Sequence, residues 1–170
     1  MTDLKSLSEL AWKGLLDTKF EHHPVHTHYE GSTELEENLL GIKGIGGMYV
    51  VDTKDGLVML DAGSMLDIES AYKQIREWRP KEKLDSVIFT HHHVDHVFAV
   101  KKFDEEAEEL KINKPKVYSH RLTPNHFDRY KKTLGWNTAI NKRQFAINVP
   151  YFQWPNEYRY PDITYEDYME

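Results

Sequence analysis

Ser86-Val87-Ile88-Phe89-Thr90-His91-His92-His93-Val94-Asp95-His96 decides how this chain is read. A short apolar, β-branched run predicts a strand buried on both faces. It stops at Thr90, where a cluster of imidazoles with one carboxylate begins. In extended backbone residues i and i+2 face the same way, so His91 and His93 can reach one ion. A turn into a helix then brings Asp95 and His96 alongside. Imidazole nitrogen and carboxylate oxygen suit zinc, and also iron or manganese. Packing such groups together without a cation is unfavourable. The expected metal ligands are therefore His91, His93, Asp95 and His96, with two ions sharing a hydroxide. Asp95 is the catalytic candidate, ligating one ion and orienting or deprotonating the water.

Upstream, Met48-Tyr49-Val50-Val51 and Leu57-Val58-Met59-Leu60-Asp61 flank an Asp55-Gly56 turn and predict a hairpin. The glycines at 41, 44, 46 and 47 lack the Lys-Ser/Thr of a phosphate loop. They fit a connection between strands with a close backbone approach. Ser64 and Asp67 resemble a capping box before a helix carrying Ile68, Ala71, Ile75 and Trp78, and Pro80 follows its end. Downstream, Ala99, Phe103, Ala107 and Leu110 mark a helix whose acidic residues 104–109 form a solvated face. Lys116-Val117-Tyr118-Ser119 is a further strand, and a helix runs from Pro124 to about Phe145. Strands alternating with helices give an α/β layered domain.

The two ends are less periodic. Leu4, Leu7, Ala11 and Leu15 predict an amphipathic helix over residues 3–17, docked on the main body. His22, His23, His26 and His28 straddle Pro24 and match no common metal spacing, so a solvated or pocket-lining loop is expected. Residues 151–170 hold seven aromatics and no clear period.

Composition narrows the class. The 170 residues are 39% hydrophobic and 29% charged, with a net charge of −6 and no cysteine. That excludes disulfides and thiolate zinc sites and argues against nucleic acid as a partner. No apolar run is long enough to span a membrane, and no basic and apolar leader opens the chain. A cytoplasmic protein is expected.

The His91–His96 run, following an apolar strand and Thr90, resembles the His-x-His-x-Asp-His signature of the metallo-β-lactamase superfamily. Residues 57–63, with Asp61-Ala62-Gly63 at the strand end, resemble that family's strand ending in Asp-x-Gly. The resemblance assigns His91 and His93 to a first zinc and Asp95 and His96 to a second, with Asp61 organising the ligands from behind. His92 occupies the variable position and receives no role. His22-His23-Pro24, residues 90–100, Phe127-Asp128-Arg129-Tyr130, Asn137, Asn141, Arg143, Gln144 and Phe145 look most like the alkyl-sulfatase-related branch. That implies a metal-dependent hydrolase acting on a small-molecule sulfate or carboxylic ester through a metal-bound hydroxide. Arg129, Asn137, Asn141 and Arg143 are then candidates for holding the ester's anionic oxygens.

The superfamily fold, an αβ/βα sandwich, has two halves, and its remaining ligands come from the second. Here the last histidine is His126, 44 residues before the end. Neither His120 nor His126 matches a further ligand. Residues 1–170 are thus expected to form one domain, the first half, either as a truncated product or as part of a split protein. The aromatic tail would then be an exposed apolar surface that invites self-association or a complementing chain. The alternatives to an enzyme are an inactive metal-binding fragment and a metal-binding module that also uses His22–His28.

Overall fold

A computed structural model describes residues 4–15, 31–144, 151 and 153–169. The elements, in order, are α1 (Leu4–Trp12), β1 (Ser32–Glu36), β2 (Leu39–Ile42), β3 (Met48–Thr53), β4 (Gly56–Leu60) and α2 (Ile68–Trp78). They continue with β5 (Leu84–Phe89), α3 (Val100–Leu110), β6 (Lys116–His120), α4 (Thr123–Lys132), α5 (Leu134–Gln144) and β7 (Ile163–Tyr165). The strands form one seven-stranded sheet in chain order. β1 to β4 pair antiparallel, and β4 to β7 pair parallel.

Period-two alternation sets the core. Met48, Val50, Leu57, Met59, Val87, Phe89 and Val117 are buried together with Ala71 and Ile75 of α2 and Val100 and Phe103 of α3. Their strand neighbours Val51, Val58, Leu60, Ser86, Ile88 and Tyr118 point the other way and are half-buried. β5 is therefore buried on one face, not on both as its apolar run suggested. The open face carries a shallow depression of about 480 Å³ between Val58, Ser86, Ile88, Tyr118, Tyr165 and Met169.

Several expectations are corrected by contacts made across the chain. The run from Leu35 to Leu40 is interrupted by a turn at Glu37-Asn38, which makes β1 and β2 a second hairpin. Leu110 lies exposed at the end of α3. The acidic face of α3 is not wholly solvated. Glu106 pairs with Arg76 of α2 and accepts from the Tyr72 hydroxyl at 2.8 Å. Asp104 pairs with Arg159 at 2.9 Å. The single helix expected from Pro124 to Phe145 breaks at Thr133, whose Oγ1 donates to the Arg129 carbonyl at 2.9 Å and accepts from Asn137 Nδ2 at 3.0 Å. A side chain that competes for backbone partners ends one helix and starts the next. α1 is shorter than expected, and its Leu10, Ala11 and Trp12 are exposed, as is Leu15 beyond it. His22–His28 and Phe145 lie outside the described residues.

The tail differs most from its reading. Tyr158 stacks on Phe127 at 4.5 Å and 8°, and Tyr160 meets the same ring edge-on at 5.5 Å. β7 then joins the sheet as its last strand. Asp162 accepts from the Val117 N–H and from Arg159 Nη2, at 2.8 and 2.9 Å. Much of the tail's aromatic surface is thus spent on this domain's own core, while Tyr151 and Tyr168 remain exposed.

Candidate metal centre

The centre forms where parallel strands end. β4 stops at Asp61, whose φ of 58° lies in the left-handed region. A short polar side chain tolerates that conformation because it can bond locally. The strain is held by neighbours: Asp61 N–H donates to Ile88 O at 2.9 Å, and Ala62 N–H donates to His96 O at 2.7 Å. Gly63, also left-handed at 59°, leaves room for Met48 Sδ, which a Cβ would approach to 2.7 Å. The Ser64–Asp67 pair does form, with Asp67 Oδ2 accepting from Ser64 N–H at 2.8 Å and from its hydroxyl at 2.6 Å. It braces the turn before α2 instead of capping the helix, whose first residue is Ile68. The glycine loop between β2 and β3 closes the other side. A Cβ on Gly46 would lie 2.2 Å from the Asp95 carbonyl oxygen, so this is the close backbone approach its sequence suggested.

Side chains then converge. One ligand atom each from Asp61, His91 and His96 lie within 4.8 Å of one another, the one such group among the described residues. The imidazole of His91 lies 4.2 Å from that of His96 and 4.6 Å from that of His93. Asp61 accepts from Thr90 N–H at 2.8 Å and from Thr90 Oγ1 at 2.7 Å, and its Oδ2 is 2.9 Å from His96 Nδ1. Thr90 Oγ1 is 3.0 Å from His91 Nδ1. The hydroxyl has a single proton and a carboxylate only accepts, so one assignment satisfies every contact. Thr90 donates to Asp61, His91 Nδ1–H donates to Thr90, and His96 Nδ1–H donates to Asp61. His91 is left with Nε2 as its ligating atom, and His96 points Nε2 at Asp95 Oδ2, 3.3 Å away, as the atom left to ligate once its proton is lost.

The charges point the same way. Hydrogen bonds to the Asp61 and then the Asp95 carboxylates push His96 up to about 9. The ring thus lies between two carboxylates, a setting that favours positive charge. Burial alone would raise Asp61, but bonds from His96 and Thr90 outweigh it and hold the carboxyl below its usual range. The contact with His96, 3.3 Å from Nε2 to Asp95 Oδ2, lowers Asp95 against its burial. Burial, followed by the charges of His96 and His93, lowers His91. Two imidazoles and a carboxylate, with a second carboxylate against His96, are a donor set that fits a zinc-type cation.

His93 and Asp95 open onto an adjoining cavity of about 400 Å³. Its polar wall includes Arg129, Asn137, Asn141 and Gln144, and its apolar wall includes Ile45, Leu134, Trp154 and Tyr158. Three of the four expected anion-holding residues are thus beside the metal loop. Arg143 is exposed and lines none of this cavity. Asn141 spends one amide proton on the Asn137 carbonyl at 2.7 Å, and Asn137 spends one on Thr133. Thr90, Gly46, Trp154 and Tyr158 join the site without having been singled out for it. Only the position of Thr90, directly before the motif, could have signalled its part. A wider groove of about 1260 Å³ lies at the opposite end of the strands among Lys54, Lys81, Lys83, Lys111 and Lys114. It contains no imidazole, and Lys83 and Lys114 are paired with Asp85 and Glu108, so the chemistry belongs to the smaller cavity.

Comparison with known proteins agrees with this geometry. A linear primary-alkylsulfatase of Pseudomonas sp. is 34% identical over 76 residues, which is 44% of this chain and 11% of that protein. The solved structure of the stereoselective inverting sec-alkylsulfatase Pisa1 from Pseudomonas sp. matches with a TM-score of 0.52 at 22% identity. The match covers 71% of this chain and 19% of that one. The chain thus spans a small part of the length of either relative, and the second likeness speaks for the fold alone. The sequence profile of the metallo-beta-lactamase superfamily matches residues 42–162, from the end of β2 to the start of β7. That span is most of the chain and contains every residue of the cluster, so the protein belongs to the metallo-beta-lactamase superfamily.

Proposed function

We propose that this chain carries the metal-binding part of a hydrolase that cleaves a small-molecule ester, with a sulfate ester the favoured substrate. The observation that carries the reading is the convergence of Asp61, His91 and His96 beside a cavity lined by Arg129 and amide side chains on the one hand and by apolar side chains on the other. An ester with an anionic head and an apolar body matches both walls, and the 34% identity to an alkylsulfatase supports sulfate as the head. Zinc is the expected cation, two ions are the expected number, and a cytoplasmic setting suits a chain without cysteine.

When bound, such a cation supplies Lewis acidity and makes water a better nucleophile near neutral pH. The chain's own residues set the geometry. Asp61 and Thr90 fix the tautomers of His91 and His96, so that Nε2 of each faces inward. Asp95, held below the usual carboxylate range, stays ionised at neutral pH. It accepts a hydrogen bond from the attacking water and orients it, and is too weak a base to keep that proton. Arg129 offers a planar fork to the leaving anionic oxygens. Trp154, Tyr158, Leu134 and Ile45 enclose the apolar body and exclude water from it.

Chelator-sensitive cleavage of an alkyl sulfate ester, compared with carboxylic and phosphate esters of the same alcohol, tests the proposal. Replacing His91 or Asp95 with Ala should remove the activity and preserve the fold, and undiminished turnover in either variant would sink it. A second reading is a chain that binds metal but needs a complementing chain for turnover. It is favoured by there being a single group of converging donors, Asp61, His91 and His96, among the described residues. Tightly held metal without hydrolysis by this chain alone would select it.

A further inference from the structure

His92 neither converges on Asp61 nor lines the cavity, although it lies between two candidate ligands. Its ring meets those of His91 and His93 edge-on, at 6.2 and 4.9 Å, and lies flat on His126 of α4, with centroids 3.8 Å apart and planes within 10°. Tyr130 meets the same ring at 5.6 Å and 44°. His126 and Tyr130 are four residues apart and project from one face of the helix. That helix is fixed from below. Phe127 is fully buried, edge-on to Phe89 of β5 at 6.4 Å and stacked on Tyr158, and Tyr130 itself lies 6.2 Å from Tyr158. A continuous set of ring contacts therefore runs from the core, through α4, to the residue between His91 and His93.

We propose that His126 and Tyr130 form an aromatic clasp on His92, and that α4 thereby positions the backbone that presents His91 and His93 to a metal ion. The proposal rests on the metal-binding reading above. His92 stands between His91 and His93 in the chain and its ring touches both of theirs, so seating it on α4 fixes the backbone from which the two neighbours project. The clasp needs a flat ring at position 126 and makes no use of its nitrogens. His126 is a positioning residue and does not touch the ion.

The test measures zinc affinity of the full chain by competition with a chromophoric chelator, and the visible absorption of the cobalt(II)-loaded form as a report on ligand geometry. A stacked ring pair is lost in His126→Ala, and zinc affinity should fall about 3- to 10-fold, as the usual strength of such pairs implies. The cobalt bands should shift with it. His126→Phe restores the ring without its nitrogens and should return both readouts to within about twofold of the unaltered chain. Where circular dichroism shows that alanine loses the fold, His126→Leu, with apolar bulk and no flat ring, takes its place and should behave as the weakened variant. Binding indifferent to both Ala and Leu overturns the clasp, and so does a Phe variant as weak as Ala, which would make the nitrogens the active feature. No zinc binding by the unaltered chain overturns the metal reading itself, and the clasp with it.

Discussion

Asp61 makes the most of a single carboxylate. It accepts from two groups of Thr90, contacts His96 and does so from a left-handed backbone position. Its removal frees the tautomers of both His91 and His96 at once. Asp61→Ala should therefore weaken zinc binding roughly 10- to 100-fold, the usual effect of losing such an outer partner. Thr90→Val, which leaves the His96 contact in place, should fall between that variant and the unaltered chain. Chelator competition ranks the three, and a Thr90→Val protein as weak as Asp61→Ala would refute the division of roles. His91, His93, Asp95 and His96 could be singled out from the sequence because they stand close together in it, whereas Asp61, far upstream, entered only through the family resemblance. Local spacing can be read without a fold. Thr90 as the hydrogen-bond link between His91 and Asp61, and Gly46 as the seat of the Asp95 carbonyl, were not legible in that way. Each acts on a partner that only the folded chain brings close.

Among the elements, the central alternation from β3 to β6 was readable because buried strands and amphipathic helices carry strong periods. β1 and β2 were legible only as strand-like sequence leading into the glycines, because the Glu37-Asn38 turn between them carries no Gly or Pro, and the three residues of β7 are too few to show a period. The aromatic tail looked like surface awaiting a partner, yet its Tyr158 and Tyr160 secure it to α4, Arg159 to α3 and Asp162 to β6. Asp162 offers a measurable handle on that attachment. Burial would raise its pKa, but the Val117 N–H and Arg159 together pull it below the usual 3.8. The folded value is the lower one, so the stabilisation is full above the unfolded pKa and disappears as pH falls through the folded pKa. Asp162→Asn should thus be less stable than the unaltered chain at neutral pH, and the two should converge below about pH 4. Urea midpoints across that range check it, and a gap that stays constant into acid would show that Asp162 acts only through shape.

Taken whole, the molecule is one sheet with helices over its buried face and an apolar, half-buried face opposite. Its alkylsulfatase relatives are much longer, and the chain overlaps 11% and 19% of the two that were compared. A site that sets His96 between two carboxylates leaves stability to be gained on loading a cation. Zinc at a free concentration 100-fold above its dissociation constant should add about 2.7 kcal/mol. The thermal midpoint should rise by roughly 5 to 10 °C for a chain of this size, and a chelator should reverse it. A midpoint indifferent to zinc would mean that the cluster holds no ion.

The sheet's strand order is the order of the chain, and that has a kinetic consequence. Each strand docks beside the one made just before it, so pairing can grow in one direction, with short closures through the hairpins, one helix in each of the next two crossovers, and the longest closure, from His120 to Ile163, last. As synthesis proceeds, Asp61, Thr90, His91 and His96 are all in place to meet once β5 and the start of α3 have emerged. β7 and its tyrosines come last. The ion pocket can therefore assemble on the ribosome ahead of the strand that fastens the domain, and the nascent chain could take up metal before it has finished folding.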